Sequence, residues 1–413
     1  MTDAISSPHG SAPSASLSPR LRGMPEGLGR WLAIATGSDT VDLALGTPEF
    51  PTAPRSAVHA ASHAMRQGHN QYDVPAGNSR LRASVACRLR GRPDPDTEMT
   101  VTVGATEALS ATLLALLDQG DEVVLTEPYY PNFLSALALA GGRPRFVPLS
   151  PPDWAFDLER FLDAIGPRTR LVLLNSPHNP TGRLLSPEAV RAVGMRCARN
   201  GVWLVCDEVY AAYAYDGRAH VSVCDQGGLE DIAVSIGSFS KSHALSGWRL
   251  GYVRATPRTT RAVRLVHEAL TGGAPSPLQR GLTAVLDEAV RTPREAMQRR
   301  RDEAVAMFTD ARLVCTNPEG GCYFTAEQRD GSADGDQLAQ RLLTRAGVAV
   351  LPGSLFTTAD DPRMRRFVRV AFNRSRSTLA AARTGLSGFA AALPDMAAPP
   401  DMVASPAAGA EAE

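Results

Sequence analysis

Short apolar runs alternate with helix-length stretches through the first two-thirds of the chain. The pattern predicts strands at Thr100–Val103, Glu122–Leu125, Arg170–Leu174, Val202–Cys206, Ile232–Ile236 and Gly251–Arg254. It predicts helices at Thr106–Leu117, Tyr130–Ala140, Pro187–Asn200 and Arg258–Leu270. Leu171–Leu174 and Val202–Cys206 are apolar at almost every position, the mark of strands buried on both faces. Such alternation predicts an α/β fold, a mainly parallel sheet between helices. Beyond about Arg280 the pattern changes. A charged amphipathic helix is expected over Ala284–Thr309, then short strands near Gly321–Thr325, Val348–Leu351 and Arg366–Phe372, then a helix over Ser377–Leu393. This reads as a smaller α+β domain.

The expected division is a large domain over residues 51–280 and a small one over 281–393, with 21–50 packing against the small domain. Residues 1–20, rich in Ser, Pro and Ala, and 394–413, rich in Ala and Pro, read as disordered tails. The first twenty residues lack the basic start and apolar run of a secretory signal. The most apolar internal stretch, Ala108–Leu117, is too short to span a bilayer. Lys+Arg and Asp+Glu are equal at 43 each, so no overall field favours nucleic acid or an anionic membrane. The cysteines (Cys87, Cys197, Cys206, Cys224, Cys315 and Cys322) form no C-x-x-C pair. Their spacing suggests neither a metal site nor a disulfide framework, and fits a reducing, cytoplasmic setting.

Lys241 is the only lysine among those 43 basic residues. Arg can replace Lys wherever the task is to be positive, but a guanidinium neither loses its proton nor attacks a carbonyl as an amine does. Arg-favouring codon usage could leave one Lys by accident, so its neighbours must decide. Lys241 lies in Gly237-Ser-Phe-Ser-Lys-Ser-His-Ala-Leu-Ser-Gly-Trp-Arg249, directly after a predicted strand. Open α/β sheets bind ligands at such strand ends. Ser238 and Arg249 supply a hydroxyl and a bidentate cation suited to phosphate. In Val101-Thr-Val-Gly-Ala-Thr106 a strand runs into a helix start, where the free N–H groups at Ala105 and Thr106 can also hold phosphate.

Other strand ends carry polar groups as well. Asn179 lies in the rigid loop Asn175-Ser-Pro-His-Asn-Pro-Thr-Gly182 and can offer an amide donor. Asp207 ends an apolar strand, where an unpaired carboxylate is costly, and Tyr210 follows three residues on. Tyr130, in Glu127-Pro-Tyr-Tyr130, can stack on a planar ring. Arg369 interrupts the apolar run Phe367–Phe372, and a buried Arg wants a carboxylate. His178 and His243 flank these motifs and are read as ordinary core or solvated residues. Together the set supplies a reactive amine, an anion for a pyridinium nitrogen, donors for a phenolic oxygen, a stacking ring, a phosphate cradle and a carboxylate clamp. That describes a pyridoxal 5′-phosphate site acting on an amino acid.

With Asn-Pro-Thr-Gly at 179–182, Asp-Glu-Val-Tyr at 207–210, and Ser-Phe-Ser-Lys with Gly-Trp-Arg at 238–249, the sequence resembles the class I/II aminotransferases of fold type I. The resemblance runs from about Arg22 to Leu393 and implies a seven-stranded, mainly parallel sheet. It implies that Lys241 holds the cofactor as a Schiff base and moves the Cα proton, and that Asp207 pairs with the ring nitrogen. Asn179 and Tyr210 would contact the phenolic oxygen, and Tyr130 the ring face. Ser238, Arg249 and the backbone at Ala105 and Thr106 would grip the phosphate. It also implies that Tyr72 reaches the phosphate of a second subunit in a homodimer, that Arg369 binds the substrate α-carboxylate, and that Gly46 adds a backbone donor. The expected reaction moves an amino group from an L-amino acid to a 2-oxo acid by way of pyridoxamine phosphate. A C–S lyase, cyclase or oxidase on the same fold keeps nearly all of these residues. A cofactor-sensing regulator is disfavoured, because the segment before the fold is too short and polar for a helix-turn-helix. Side-chain selection is expected from loops near Met24–Leu32 and Gly272–Pro277.

Borohydride reduction of the cofactor-loaded protein is expected to fix pyridoxyl on a single peptide, the one containing Lys241. Label kept by Lys241→Arg would contradict the assignment.

Overall fold

The apolar runs assemble, in a computed structural model, as seven strands of one sheet: β1 (Met99–Thr102), β2 (Glu122–Glu127), β3 (Arg143–Pro148), β4 (Thr169–Asn175), β5 (Trp203–Asp207), β6 (Ala233–Ser238) and β7 (Gly251–Arg254). The structure describes residues 40–287, 293–329 and 333–391, together with Ser18, Met24, Ile34 and Gly37. The two expected tails, Ser18 aside, and the Met24–Leu32 loop, Met24 aside, lie outside them. The strand order is β1-β7-β6-β5-β4-β2-β3. All neighbours are parallel except that β7 runs antiparallel to both β1 and β6.

Successive residues of the central strands point to opposite faces, and both faces are covered. Leu171, Leu173, Val205, Val234 and Ile236 pack with the helices Gly104–Leu116, Asn132–Ala140 and Pro257–Thr271. Val172, Leu174, Leu204 and Cys206 pack with the helices Leu158–Ala164 and Pro187–Asn200. This is why those strands read as unbroken apolar runs. Strand β3 was not evident in the sequence pattern. It is an edge strand paired only with β2, and its Arg143, Pro144 and Arg145 are exposed. Charges and proline are tolerated at an edge, where they also obstruct further pairing.

After the large sheet come β8 (Leu313–Cys315), β9 (Tyr323–Gln328), β10 (Leu351–Pro352) and β11 (Val368–Ala371), a four-stranded antiparallel sheet in the order β10-β11-β9-β8. The helix expected over Ala284–Thr309 is two helices, Ser276–Asp287 and Arg294–Asp310. Pro293 caps the second with non-helical backbone (ψ 64°), in keeping with the poor fit of proline inside a helix. The terminal helix is Arg376–Ala391. No helix among the described residues is long and apolar enough to cross a membrane.

Two devices tie distant segments to this frame. Val41–Asp42 pairs parallel with Val348–Ala349. Just beyond, the buried Arg374 donates to the carbonyls of Asp42 (2.5 Å), Thr47 (2.6 Å) and Leu45, and to the Asp42 carboxylate (3.1 Å). One guanidinium thereby holds the backbone on both sides of Gly46. At the end of β2, the buried Glu127 Oε1 accepts from Thr357 Oγ1 (2.9 Å), Thr358 N (2.5 Å), Thr358 Oγ1 (3.1 Å) and Ala359 N (3.1 Å). The same large-sheet segment bonds Phe356 through Tyr129 N (2.9 Å).

Glu127→Ala strands these donors and is expected to cost about 2–4 kcal/mol. Glu127→Gln keeps the acceptor and should lose less than half as much, as chemical denaturation will measure.

Candidate active site

The C-terminal ends of β4, β5 and β6 open into one cavity of about 360 Å³, whose wall includes Gly46, Ala105, Thr106, Tyr130, Asn179, Asp207, Tyr210, Ser238, Lys241, Arg249 and Arg369. Eleven of the twelve residues singled out in the sequence thus share one space. Tyr72 is the exception. It is 90% exposed and stands outside the cavity of its own chain, near Gly272.

Strand geometry explains the convergence. Parallel neighbours in register bring Asn175 opposite Asp207 and Asp207 opposite Ile236, so the loops that follow emerge side by side. The Asn175 side chain then braces the site from both ends. Its amide donates to the Asp207 carbonyl (2.9 Å), and its Oδ1 accepts from Asn179 N (2.8 Å). Asn175 was read only as part of a turn, although its place at the end of a buried strand was the available signal.

Asp207 is buried, and its Oδ1 accepts one backbone bond, from Val209 N at 3.2 Å. Burial drives its pKa up to about 7. The Val209 bond and the Lys241 charge pull it down, while the Glu208 charge adds to the rise. Behind it, burial raises the Glu208 carboxyl, but His220, Ser235 Oγ (2.6 Å) and Val223 N (3.0 Å) outweigh that and leave it lowered. Lys241 Nζ donates to the Gly46 carbonyl at 2.8 Å. Tyr130 accepts from Asn132 Nδ2 (2.9 Å), and burial pushes its hydroxyl up to about 12.

At the opposite wall, the helix Gly104–Leu116 starts with Gly104 at φ +73°. A Cβ there would lie 2.6 Å from an Arg249 guanidinium nitrogen. Glycine is also required at 251, where a Cβ would come within 2.8 Å of Ala105 N. The two glycines let the helix start, the Arg249 side chain and Ser238 at the end of β6 crowd around one point. Arg249 donates to the Ser246 carbonyl (3.0 Å) and meets no carboxylate among the described residues.

Arg369 reaches the cavity from β11. It donates to Asn179 Oδ1 (3.0 Å) and to the Ala44 carbonyl (2.6 Å), while its buried Nε has no partner. Its guanidinium lies over the Tyr323 ring (4.1 Å to the centroid) and near that of Phe356 (5.0 Å). Tyr323 was missed by sequence reasoning, which took Gly321–Thr325 only as a strand. His178 bonds Thr181 (2.8 Å) and Thr126 (3.3 Å), and burial holds it neutral with a pKa near 4. His243 is lowered by burial to about 4 as well. Burial raises the thiols of Cys197, Cys206 and Cys322, which weighs against a nucleophilic role for them.

The model of aminotransferase class I and II matches residues 38–386. Methionine aminotransferase of Escherichia coli is 33% identical over 85% of this chain and 92% of the relative. Aspartate aminotransferase of Geobacillus stearothermophilus is 32% identical over 80% of this chain and 87% of its own length. The solved N-succinyldiaminopimelate aminotransferase of Mycobacterium tuberculosis superposes with a TM-score of 0.85 at 31% identity, covering 91% of this chain and all of that one. The donor set fits pyridoxal 5′-phosphate. A cradle of N–H groups, hydroxyl and guanidinium suits the phosphate, and a buried carboxylate suits a protonated ring nitrogen.

The raised pKa carries a sign that can be checked. Without a cationic partner, Asp207 stays protonated in the fold up to about pH 7. In the unfolded chain it ionises near its ordinary value, so its cost to stability grows as pH rises from about 4 to 7. Asp207→Asn should therefore stabilise the cofactor-free protein by about 1–4 kcal/mol at pH 8 and by little at pH 4. Denaturation midpoints at the two pH values provide the test.

Proposed function

This chain belongs to the aminotransferase class I and II family and is a pyridoxal-phosphate-dependent transaminase, and on that premise we propose how its residues divide the work. The observation that carries the reading is the convergence on a single cavity of one lysine, one buried carboxylate and two guanidiniums that lack carboxylate partners among the described residues. When bound, the cofactor supplies an aldehyde carbon for amines and a ring that accepts electron density from the substrate's α-carbon.

Lys241 Nζ would provide the attachment amine and then move the proton from the substrate's Cα to the cofactor carbon that carried the aldehyde. Asp207 keeps a proton on the ring nitrogen, because a buried anion of this kind favours a cation beside it. Ser238, Arg249 and the N–H groups of Ala105 and Thr106 hold the phosphate. Asn179 and Tyr210 orient the ring through its phenolic oxygen, and Tyr130 packs on its face. Arg369, which lines the cavity and meets no carboxylate among the described residues, takes the substrate α-carboxylate beside the Gly46 backbone.

Tyr72 serves the cavity of a second copy in a homodimer. Its 90% exposure supports this, as do the exposed Val74, Leu265 and Leu270. Amino acid and 2-oxo acid are the exchanged substrates. Among the described residues lining the cavity, Lys241, Arg249 and Arg369 are the cations, and each already has a role. The other residues of the wall, Leu45, Thr47, Leu109, Asn132, Asn175, Val209, Ser240, Ser246 and Tyr323, are uncharged, which supports a donor with an uncharged side chain. Methionine, named in the Escherichia coli relative, is such a donor. Six free cysteines support a cytoplasmic setting.

Single-turnover mixing with methionine should convert the lysine-bound absorbance of the cofactor to that of the amine form and release one 2-oxo acid. Aspartate should react at least about 10-fold more slowly, a difference of ~1.4 kcal/mol. Ammonia released with the 2-oxo acid, the cofactor returning to its lysine-bound form without an acceptor, would refute transamination. Aspartate faster than methionine would refute only the donor class.

A further inference from the structure

Tyr323 is the cavity residue that no motif pointed to, and it touches three parts of the site at once. Its position follows from sheet register. In the antiparallel pair β9–β11, Thr325 lies opposite Arg369 and Tyr323 opposite Ala371. Residues two apart share a face, so Tyr323 and Arg369 are diagonal neighbours on the face that looks into the cavity. The guanidinium of Arg369 sits 4.1 Å from the Tyr323 ring centroid.

The ring also meets Tyr210 edge-on, with centroids 5.7 Å apart at 80°, and the Tyr210 hydroxyl donates to that of Tyr323 at 3.3 Å. The third contact is with Gly46. A Cβ at 46 would fall 1.6 Å from the Tyr323 oxygen, so the absence of a side chain there is what makes room for the hydroxyl. Gly46 is the residue whose carbonyl accepts Lys241 Nζ.

We propose that Tyr323 is a positioning residue with two separable functions, resting on the transaminase reading above: its ring sets Arg369, and its hydroxyl strengthens Tyr210 as a donor. Each hydroxyl has one proton, and here Tyr210 donates its own to Tyr323. When Tyr210 turns its proton to the phenolic oxygen of the cofactor, the bond between the tyrosines reverses and Tyr323 becomes its donor. A hydroxyl that accepts a hydrogen bond becomes a better donor in turn. The ring of Tyr323 adds a cation–π contact that fixes the Arg369 guanidinium at the cavity wall.

Two variants separate the functions. Tyr323→Phe keeps the ring and deletes the hydroxyl. The pH midpoint of the bound cofactor's visible absorbance is expected to rise, because a weaker donor at the phenolic oxygen leaves more negative charge to hold the proton of the adjacent lysine linkage. Its kcat is expected to fall about 3–10-fold with KM within about twofold, the scale of one lost hydrogen bond. Tyr323→Leu removes the ring too and should add a rise in KM for the amino acid of about fivefold or more.

An unchanged midpoint and kcat in Tyr323→Phe would overturn the hydroxyl's role. An unchanged KM in Tyr323→Leu would overturn the ring's. Should Tyr323→Leu fold poorly, Tyr323→Trp retains an aromatic face for Arg369 and should keep KM nearer the native value. A KM in Tyr323→Trp as high as that expected for Leu would count against the ring. Failure of the native protein to show lysine-bound absorbance would instead refute the transaminase reading itself.

Discussion

The rest of the site is organised around one constraint: a carboxylate, Asp207, closed off at the end of a strand with, among the described residues, a single backbone donor on its acceptor atoms. An isolated buried anion is costly, and the protein does not resolve that cost internally. Lys241 shares the cavity but donates its hydrogen bond to the Gly46 carbonyl instead. Asp207 is therefore held ready for a cation that arrives with a ligand. The neighbouring Glu208 is handled differently, with Ser235, Val223 and His220 around it. Two adjacent acids thus have opposite fates: one is satisfied by the fold, and the other waits for a partner.

Assembly of the cavity depends on contacts that cross the whole chain. Arg369 of the small sheet holds Asn179 of the large sheet and the carbonyl of Ala44. Arg374 fixes the backbone on both sides of Gly46, and Glu127 holds the loop that carries Phe356 toward Arg369. The strand-end loop of Asn179 and the guanidinium of Arg369 are consequently joined by a hydrogen bond rather than merely adjacent. A shift of the small sheet would move Arg369, Tyr323 and Asn179 together.

Much of this was legible because strand ends in a parallel sheet are where ligands bind, and the sequence marks those ends chemically. Asn179, Asp207, Ser238 and Lys241 each follow an apolar run, so period and polarity alone placed them together. Tyr323 was not legible, since its importance comes from the register of β9 on β11 and from space left by a glycine far away in sequence. The edge strand β3 escaped notice because solvent exposure removes the apolar signature. The helix break at Pro293 was overlooked because charge and amphipathicity continue across it. Tyr72 carries no local sign of the role proposed for it, which rests on its exposure and on a second copy that we propose.

The claim that Asp207 awaits a cation is tested most directly by the protonation state of the ring nitrogen in the bound cofactor. Nitrogen-15 NMR of protein loaded with ring-labelled pyridoxal phosphate reads that state without turnover. At pH 8 the account predicts a protonated nitrogen in the native protein and an unprotonated one in Asp207→Asn. An unprotonated nitrogen in the native protein at that pH would contradict it.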